Sequence, residues 1–161
     1  MIRSISVENP PRAQWGVLLG LLPEAQVTEV ATRLLEEGGW KLDRVAREGL
    51  RLLPLRESTR GEVFYLGEIP LVEVRVILQN DHGKMLEGGA ALLDVSEELT
   101  EAVAVLDALL TAELDDAGEI TGLLSEGFEI KKNIEKERAH MRARTRVNFS
   151  LLSDADGEES V

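Results

Sequence analysis

The chain has 161 residues and a formal net charge of −12, with 43% hydrophobic and 4% aromatic residues. This length fits one domain, which we place at residues 1–153, and its core must be built mainly from aliphatic side chains. The absence of cysteine excludes disulfides, thiolate metal sites and cysteine nucleophiles. So acidic a chain is also a poor match for nucleic acid, because phosphate contacts need clustered cations.

The N-terminal residues and the lengths of the apolar segments indicate the cellular location of the protein. Residues 1–8 lack the apolar stretch of a signal peptide, and no segment reaches the ~20 apolar residues of a membrane span. We therefore expect a cytoplasmic protein that does not bind a membrane. Residues 154–161 are acidic and are expected to form a disordered tail.

Two helices are predicted before residue 40. Asn9-Pro10-Pro11 is typical of a helix start, because proline suits the first turn and asparagine can cap it; this helix would extend to Leu22. A second helix begins at Pro23. Its apolar residues lie at i, i+3, i+4, i+7 and i+8, which gives one buried face: Val27, Val30, Ala31, Leu34 and Leu35. Gly38-Gly39 ends it.

The middle of the chain has strand character. A bend at Glu48-Gly49 separates two predicted strands, a polar turn at 58–61 precedes a third, and the hairpin-type sequence Asn80-Asp81-His82-Gly83 joins the last two. The strands predicted in this block are residues 40–46, 50–55, 63–66, 71–78 and 84–93. We expect an antiparallel sheet of four to five strands, packed against N-terminal and C-terminal helices in an α+β fold.

Helices return after the sheet. Ser96 is a good N-cap for a helix to Leu114, whose buried stripe runs through Leu99, Ala102, Val103, Leu106, Leu109 and Leu110. A last helix from about Asp116 should bury Ile120, Leu123, Leu124 and Phe128. It becomes polar nearly all round after Ile134, and residues 145–152 look extended.

A basic segment stands out against the acidic background. Residues 131–146 contain seven cations and two carboxylates, a net charge of +5. A helix that is polar all round is either solvated or held by another chain. If a partner holds it, Arg138, Arg142 and Arg144 are the candidate docking residues.

No arrangement of residues describes an active site. His82 and His140 are the only histidines and lie in unrelated segments, so no metal-binding motif is present. A Gly-x-Ser-x-Gly nucleophile motif is missing. Gly88-Gly89 is too short and too acidic in context for a phosphate-binding loop. We expect no catalytic residue and no metal ligand in this chain.

Several short motifs occur in a fixed order between residues 12 and 152. They are Trp15, the run 44–50 (RVAREGL), Arg56, the run 61–68 (GEVFYLGE), the run 102–110 (AVAVLDALL) and the run 146–149 (RVNF). In this order and spacing the chain resembles the PhnG family of the bacterial carbon–phosphorus lyase machinery. The resemblance covers nearly the whole chain.

Three of the family's motifs are altered. Its Gly-Gly-Thr-Gly turn corresponds to residues 58–61 (STRG), its Thr-Arg to Val72-Glu73, and its Gly-Arg-Asp to residues 94–96 (DVS). Where Glu73 and Val95 replace arginine, any bidentate contact with an anion is lost.

The resemblance marks residues that match family motifs and are candidates for partner contact: Arg56, Gly49, Phe64, Gly67, Glu68, Asp107, Arg146 and Phe149. Simpler roles are open for several of them. The two glycines suit backbone bends, and the two phenylalanines suit packing in a core or an interface. Asp107 suits a solvated or paired helix position, whereas Arg56 and Glu68 are the two expected to make polar contacts with a partner.

The resemblance implies a non-catalytic subunit of the carbon–phosphorus lyase core complex. Such a subunit supports transfer of the ribose triphosphate moiety of ATP to a phosphonate. Its partners would be PhnH-, PhnI- and PhnJ-like subunits and a second copy of itself. ATP and phosphonate would bind at the level of the complex, and no cofactor would bind this chain alone. Two alternatives remain open: a small acidic chaperone or adaptor dimer that binds a client protein, and a free-standing enzyme acting on phosphorylated sugars.

Overall fold

A computed structural model describes residues 10–116 and 118–144. Within them, four helices lie on one side of an antiparallel sheet with the strand order β1-β2-β3. The elements in chain order are α1 (Arg12–Leu19), α2 (Glu24–Glu37), β1 (Lys41–Arg56), β2 (Val63–Gln79), β3 (Met85–Leu93), α3 (Glu97–Thr111) and α4 (Glu119–Arg144). The predicted α+β class is confirmed.

The described residues form three strands, so the prediction of four to five counts too many. β1 continues through Glu48 and Gly49, which pair with Val72 and Leu71, and the expected bend is wrong. β2 likewise joins the two strands predicted at 63–66 and 71–78. The physical reason is the ladder itself: a neighbouring strand satisfies the backbone N–H and C=O groups continuously, and that pairing outweighs the local weakness of glycine.

The ends of the helices are set by capping residues and local hydrogen bonds. The hydroxyl of Ser96 accepts a hydrogen bond from the backbone N–H of Leu99 at 3.0 Å, as predicted for the N-cap of α3. α2 begins directly after Pro23 and ends at Gly38. α1 ends at Leu19 and not at Leu22, because the N–H groups of Leu21 and Leu22 turn back to the carbonyls of Leu18 and Leu19.

The core lies between α3 and one face of the sheet. Alternate residues of β2 face inward and are buried: Val72, Val74, Val76 and Leu78. Gly88 of β3 allows α3 to approach the sheet closely, because a Cβ there would lie 2.2 Å from the carbonyl oxygen of Ala104. α3 is consequently buried almost all round, and the opposite face of the sheet stays open.

The buried residues of α4 lie in its first half. Gly127 lies so close to α1 that a Cβ there would be 2.3 Å from the carbonyl oxygen of Leu18. Ile120 and Leu124 are buried as predicted, but Phe128 is 43% exposed and that prediction is wrong. The helix turns by about 100° per residue, so Phe128 points away from the side on which α1 packs against Gly127.

Candidate protein-interaction surface

The first two strands extend well beyond the third. β3 pairs with residues 71–79 of β2, whereas β1 follows β2 down to the pair of Arg56 and Val63. Residues 50–56 and 63–69, joined by the turn at 57–62, therefore form a two-stranded β-arm without a third strand beside it. Such a hairpin is only marginally stable in water unless another layer covers it.

The β-arm carries large apolar side chains on both faces. Residues directly opposite each other in an antiparallel pair share a face, which divides these side chains into two groups. The inner face, on the helix side of the sheet, consists of Leu50, Leu52, Val63 and Tyr65, and the outer face consists of Leu53, Leu55, Phe64 and Leu66. All eight side chains are between 43% and 62% exposed.

This distribution differs from that of a strand with one solvated face, which alternates apolar and polar residues. Monomeric soluble proteins rarely expose contiguous apolar patches larger than a few hundred Å². Because both faces of the β-arm are apolar, both have the character of surfaces that another molecule covers. The β-arm is therefore the candidate interaction surface of this chain.

A register shift lies in the middle of the β-arm. Leu52 pairs with Glu68 and Pro54 pairs with Tyr65, so Leu66 and Gly67 together lie opposite Leu53. A bulge of this kind bends and twists the hairpin. The predicted role of Gly67 at a bend agrees with this position. Pro54 lies in an edge strand and beside this bulge, and both are positions at which sheets tolerate proline.

The tip of the β-arm is a well-defined turn. The carboxylate of Glu57 accepts hydrogen bonds from the backbone N–H groups of Thr59 and Arg60 at 3.2 and 3.1 Å. Hydrogen bonds from Thr59 and from the backbone of Arg60 lower the pKa of Glu57. Gly61 closes the turn at φ 72°, a conformation that glycine adopts without strain.

The two residues expected to make polar partner contacts are not brought together. Arg56 ends β1 opposite Val63, beside the turn, whereas Glu68 lies opposite Leu52 nearer the sheet. Four residues of strand separate these pairs, roughly 13 Å. Both side chains are exposed, so each remains a separate candidate contact.

Asp107, another family-motif residue, is engaged inside the chain. Its residue exposure is only 6%. One carboxylate oxygen accepts from Arg12 Nε at 2.8 Å, and the other accepts from Arg12 Nη2 at 2.7 Å and from the backbone N–H of Gly89 at 3.0 Å. The hydrogen bond with Asp107, together with its charge, raises the pKa of Arg12. Asp107 thereby joins α1, α3 and β3.

The outer face of the β-arm continues onto the open face of the sheet. Val45, Ile77 and Leu93 are exposed there. They are interspersed with charges of both signs, such as Arg47 directly opposite Glu73. A shallow cavity of about 360 Å³ lies over this part of the sheet. The open face is more polar than the β-arm, but it is continuous with it.

Most of the described part of the basic segment is exposed. Its described part, residues 131–144, has six cations and two carboxylates. All buried residues of α4 precede it. At 1.5 Å per residue this part spans about 21 Å. Arg138, Arg142 and Arg144 are exposed along it. Arg146 and Phe149, the remaining family-motif candidates, lie outside the described residues.

Within residues 10–116 and 118–144, no group of three or more histidine or carboxylate side chains is placed so that it could hold a metal ion. No helix in this part of the chain is long and apolar enough to cross a membrane.

The fold and this surface define a small α+β protein with a projecting apolar hairpin. A family model described as phosphonate metabolism protein PhnG matches residues 10–153, and the chain belongs to that family. The family places it in phosphonate metabolism. A comparison with curated proteins finds no match.

Sequence reasoning identified only Phe64 among the eight apolar residues of the β-arm. A usable signal was present: residues 52–53 and 63–66 are consecutively apolar. Successive residues of a strand point to opposite faces, so an apolar run near a polar turn predicts a hairpin that is apolar on both sides. The length of β3, which leaves the hairpin uncovered, could not be read in this way.

Proposed function

We propose that this chain is a non-catalytic subunit of the carbon–phosphorus lyase core complex. In that role it supports transfer of the ribose triphosphate moiety of ATP to a phosphonate. Membership of the PhnG family supports the pathway. The observation that carries the subunit role is the β-arm, whose two apolar faces have the character of a protein interface.

The partners in this proposal are PhnH-, PhnI- and PhnJ-like subunits. ATP and phosphonate bind at the level of the assembly, and this chain contributes surfaces to it. The β-arm offers an apolar contact, and the basic segment offers a contact of opposite character for an acidic partner surface. Apolar contacts supply most of the affinity, whereas complementary charges speed association and select the partner.

Two arginines that pair with glutamates on other elements support an architectural role. Arg33 Nη1 donates to Glu119 Oε1 at 2.9 Å and links α2 to α4. Arg44 pairs with Glu97 and, at 2.8 Å, with Glu101, and links β1 to α3. Hydrogen bonds with Glu119 and with Glu97 respectively raise the pKa of each arginine. These guanidinium groups hold elements of this chain together.

Reconstitution tests the proposal. The tagged chain is co-expressed with PhnH-, PhnI- and PhnJ-like subunits, and the purified assembly is supplied with the L-type subunit, ATP and methylphosphonate. We expect the chain to co-purify in fixed proportion, and phosphonate-dependent release of adenine to require it. Release of adenine at the full rate without this chain, or by this chain alone, contradicts the proposal.

A second candidate function is an acidic chaperone or adaptor that binds a client protein. The same exposed apolar β-arm favours it, because such proteins shelter apolar segments of a client. A titration with the purified PhnI-like subunit and with a reduced, unfolded model protein separates the two functions. The chaperone function requires binding to the unfolded protein and none to the PhnI-like subunit; we expect the reverse.

A further inference from the structure

We infer that the free edge of β1 binds an extended, acidic segment of another subunit as an additional strand of the sheet. This inference rests on the proposed function and deepens it, since it names the edge that is used and the chemistry of the segment that pairs with it. The direction of the backbone groups of β1, the protection of the opposite edge and the charge of β1 support it.

The backbone of β1 presents every second residue to its free edge. The N–H of Gly89 in β3 donates to Asp107 and therefore points away from β2. Opposed residues of an antiparallel ladder alternate between pairs that exchange both hydrogen bonds and pairs that exchange none. Arg75, opposite Gly89, consequently bonds to Val45 of β1. The alternate residues of β1 then point their N–H and C=O groups away from the sheet: Leu42, Arg44, Ala46, Glu48, Leu50 and Leu52.

The turn at the tip of the β-arm agrees with this direction. The N–H of Glu57 donates to the carbonyl of Glu62 at 2.9 Å. Counting back along the ladder, the nitrogen of Pro54, opposite Tyr65, points away from β2. Proline is tolerated where its missing N–H would face outward on an edge strand. The outward groups of β1 therefore end at Pro54 in a position that cannot donate to an added strand.

The outward groups between residues 42 and 52 have no hydrogen-bond partner in the described part of the chain. This stretch spans about 34 Å. It holds no proline, and the bulge of the β-arm begins only after Leu52. A long edge without these protective features is a template for pairing with another chain.

The opposite edge of the sheet is covered. Asp107 accepts the outward N–H of Gly89 at 3.0 Å. α1 packs beside it, because a Cβ at Gly16 would lie 3.3 Å from Cδ2 of Leu92. Within the described sheet, the fold thus blocks the middle of β3 and leaves β1 available.

The charge of β1 selects an acidic segment. β1 contains five cations and two carboxylates, a net charge of +3 in a chain of −12. Arg47 and Arg51 lie four residues apart on the open face of the sheet, and neither forms an ion pair with a described residue. The other face carries Leu50 and Leu52, which are 62% and 47% exposed. A complementary segment therefore alternates carboxylates with apolar residues. A second copy of β1 would bring the same positive charge.

Amide hydrogen exchange tests the inference. The full-length chain is exchanged alone and in its purified complex with the PhnH-, PhnI- and PhnJ-like subunits, and single amides are read by NMR after quenching. In the lone chain, the outward N–H groups of Arg44, Ala46 and Glu48 should exchange rapidly, whereas those of Val45 and Arg47 are protected by β2. In the complex, exchange of the three outward groups should slow at least about tenfold. Unchanged exchange of these three overturns the inference.

A proline variant removes one outward N–H and leaves the ladder to β2 intact. Glu48→Pro should keep the thermal midpoint of the lone chain and raise the Kd for the combined subunits at least about tenfold, because a carbonyl of the added strand loses its donor. Glu48→Ala keeps the N–H and is the matched control, with a Kd within about threefold of wild type. Equal Kd values for the two variants overturn the inference.

Arg47→Pro checks the direction of the backbone groups. It removes an N–H that bonds to β2, so it should lower the thermal midpoint of the lone chain. Equal thermal midpoints for Arg47→Pro and Glu48→Pro overturn the assignment of outward groups, and the inference with it.

Charge reversal tests the acidic character of the added segment. The double variant Arg47→Glu and Arg51→Glu should raise the Kd at least about tenfold. The double variant Arg75→Glu and Lys84→Glu makes the same change in charge away from this edge, and its Kd should stay within about threefold of wild type. Equal effects of the two double variants overturn the assignment to β1.

These outcomes are separable from those of the proposed function, which is judged by adenine release. A chain that is required for adenine release, but whose outward amides stay unprotected in the complex, overturns only the added strand. A chain whose outward amides are protected, but which is dispensable for adenine release, overturns only the role in the complex. A chain that binds none of these subunits overturns both.

Discussion

Arg12 and Asp107 form a bidentate ion pair between residues 95 positions apart, with Nε to Oδ1 at 2.8 Å and Nη2 to Oδ2 at 2.7 Å. The pair is asymmetric: the Arg12 side chain is 56% exposed and the Asp107 side chain 7% exposed. Asp107 also accepts from the N–H of Gly89. The buried partner is therefore a junction of α1, α3 and β3, and the arginine neutralises it from the surface.

Replacing Asp107 with alanine should lower the free energy of unfolding by about 2 kcal/mol, because it leaves the part-buried N–H of Gly89 without its acceptor. The charge attraction between Asp107 and Arg12 contributes little, because the Arg12 side chain is exposed and solvent screens it. Urea denaturation measures the change. Asp81→Ala removes a pair in which both side chains are more than three-quarters exposed, and it should cost less than about 0.5 kcal/mol. Equal costs for the two variants would show that Asp107 is not a junction.

Gly88→Ala should destabilise the protein by about 2–3 kcal/mol, the upper part of the range for overpacked cores. The new Cβ would lie 2.2 Å from the carbonyl oxygen of Ala104 and 2.7 Å from the Cβ of Ala108, so α3 must shift. Gly89→Ala is the matched control, because its Cβ would lie 3.5 Å from its nearest tertiary neighbour, the carbonyl oxygen of Val74. It should change stability by less than about 1 kcal/mol. Thermal unfolding of both variants checks the difference.

The pair of Arg33 and Glu119 should make stability depend on pH in the acidic range. The hydrogen bond from Arg33 lowers the pKa of Glu119 below its ordinary 4.5. A carboxylate whose pKa is lower in the folded state than in the unfolded state stabilises the protein at pH values above its unfolded-state pKa. This contribution is lost as the pH falls through the folded-state pKa. The difference in thermal midpoint between wild type and Glu119→Gln should therefore shrink as the pH falls from 7 to 3.

The arginine supplies the control for that experiment. Arg33→Gln removes the same interaction from the other side. The double variant loses that interaction once, so its loss of stability should be smaller than the sum of the losses in the two single variants. A difference between wild type and Glu119→Gln that stays constant down to pH 3 would show that this carboxylate does not carry the effect.

Reversing the charges of Arg138, Arg142 and Arg144 to glutamate should weaken association with the PhnH-, PhnI- and PhnJ-like subunits without unfolding the chain. These side chains are exposed beyond the buried part of α4, so their replacement should leave the described core intact. Binding is measured by titration calorimetry at two salt concentrations. The wild-type affinity should fall with added salt, and the affinity of the variant should fall less. Unchanged binding by the variant excludes the basic segment as a docking element.

The sequence by itself determined the features that depend on neighbouring residues. The N-cap at Ser96, the end of α2 at Gly38 and the polar end of α4 were all predicted correctly. Capping, periodicity and charge act over one or two turns or a single strand, so they can be read from the order of residues.

Only the tertiary structure decided how far pairing and packing extend. β1 runs straight through Gly49 because β2 lies beside it, and Phe128 is exposed because α1 packs against the side of α4 that bears Gly127. Asp107 finds Arg12 95 residues away, and the β-arm is uncovered because β3 is short. Each outcome is set by a partner distant in sequence, and local propensity carries no information about that partner.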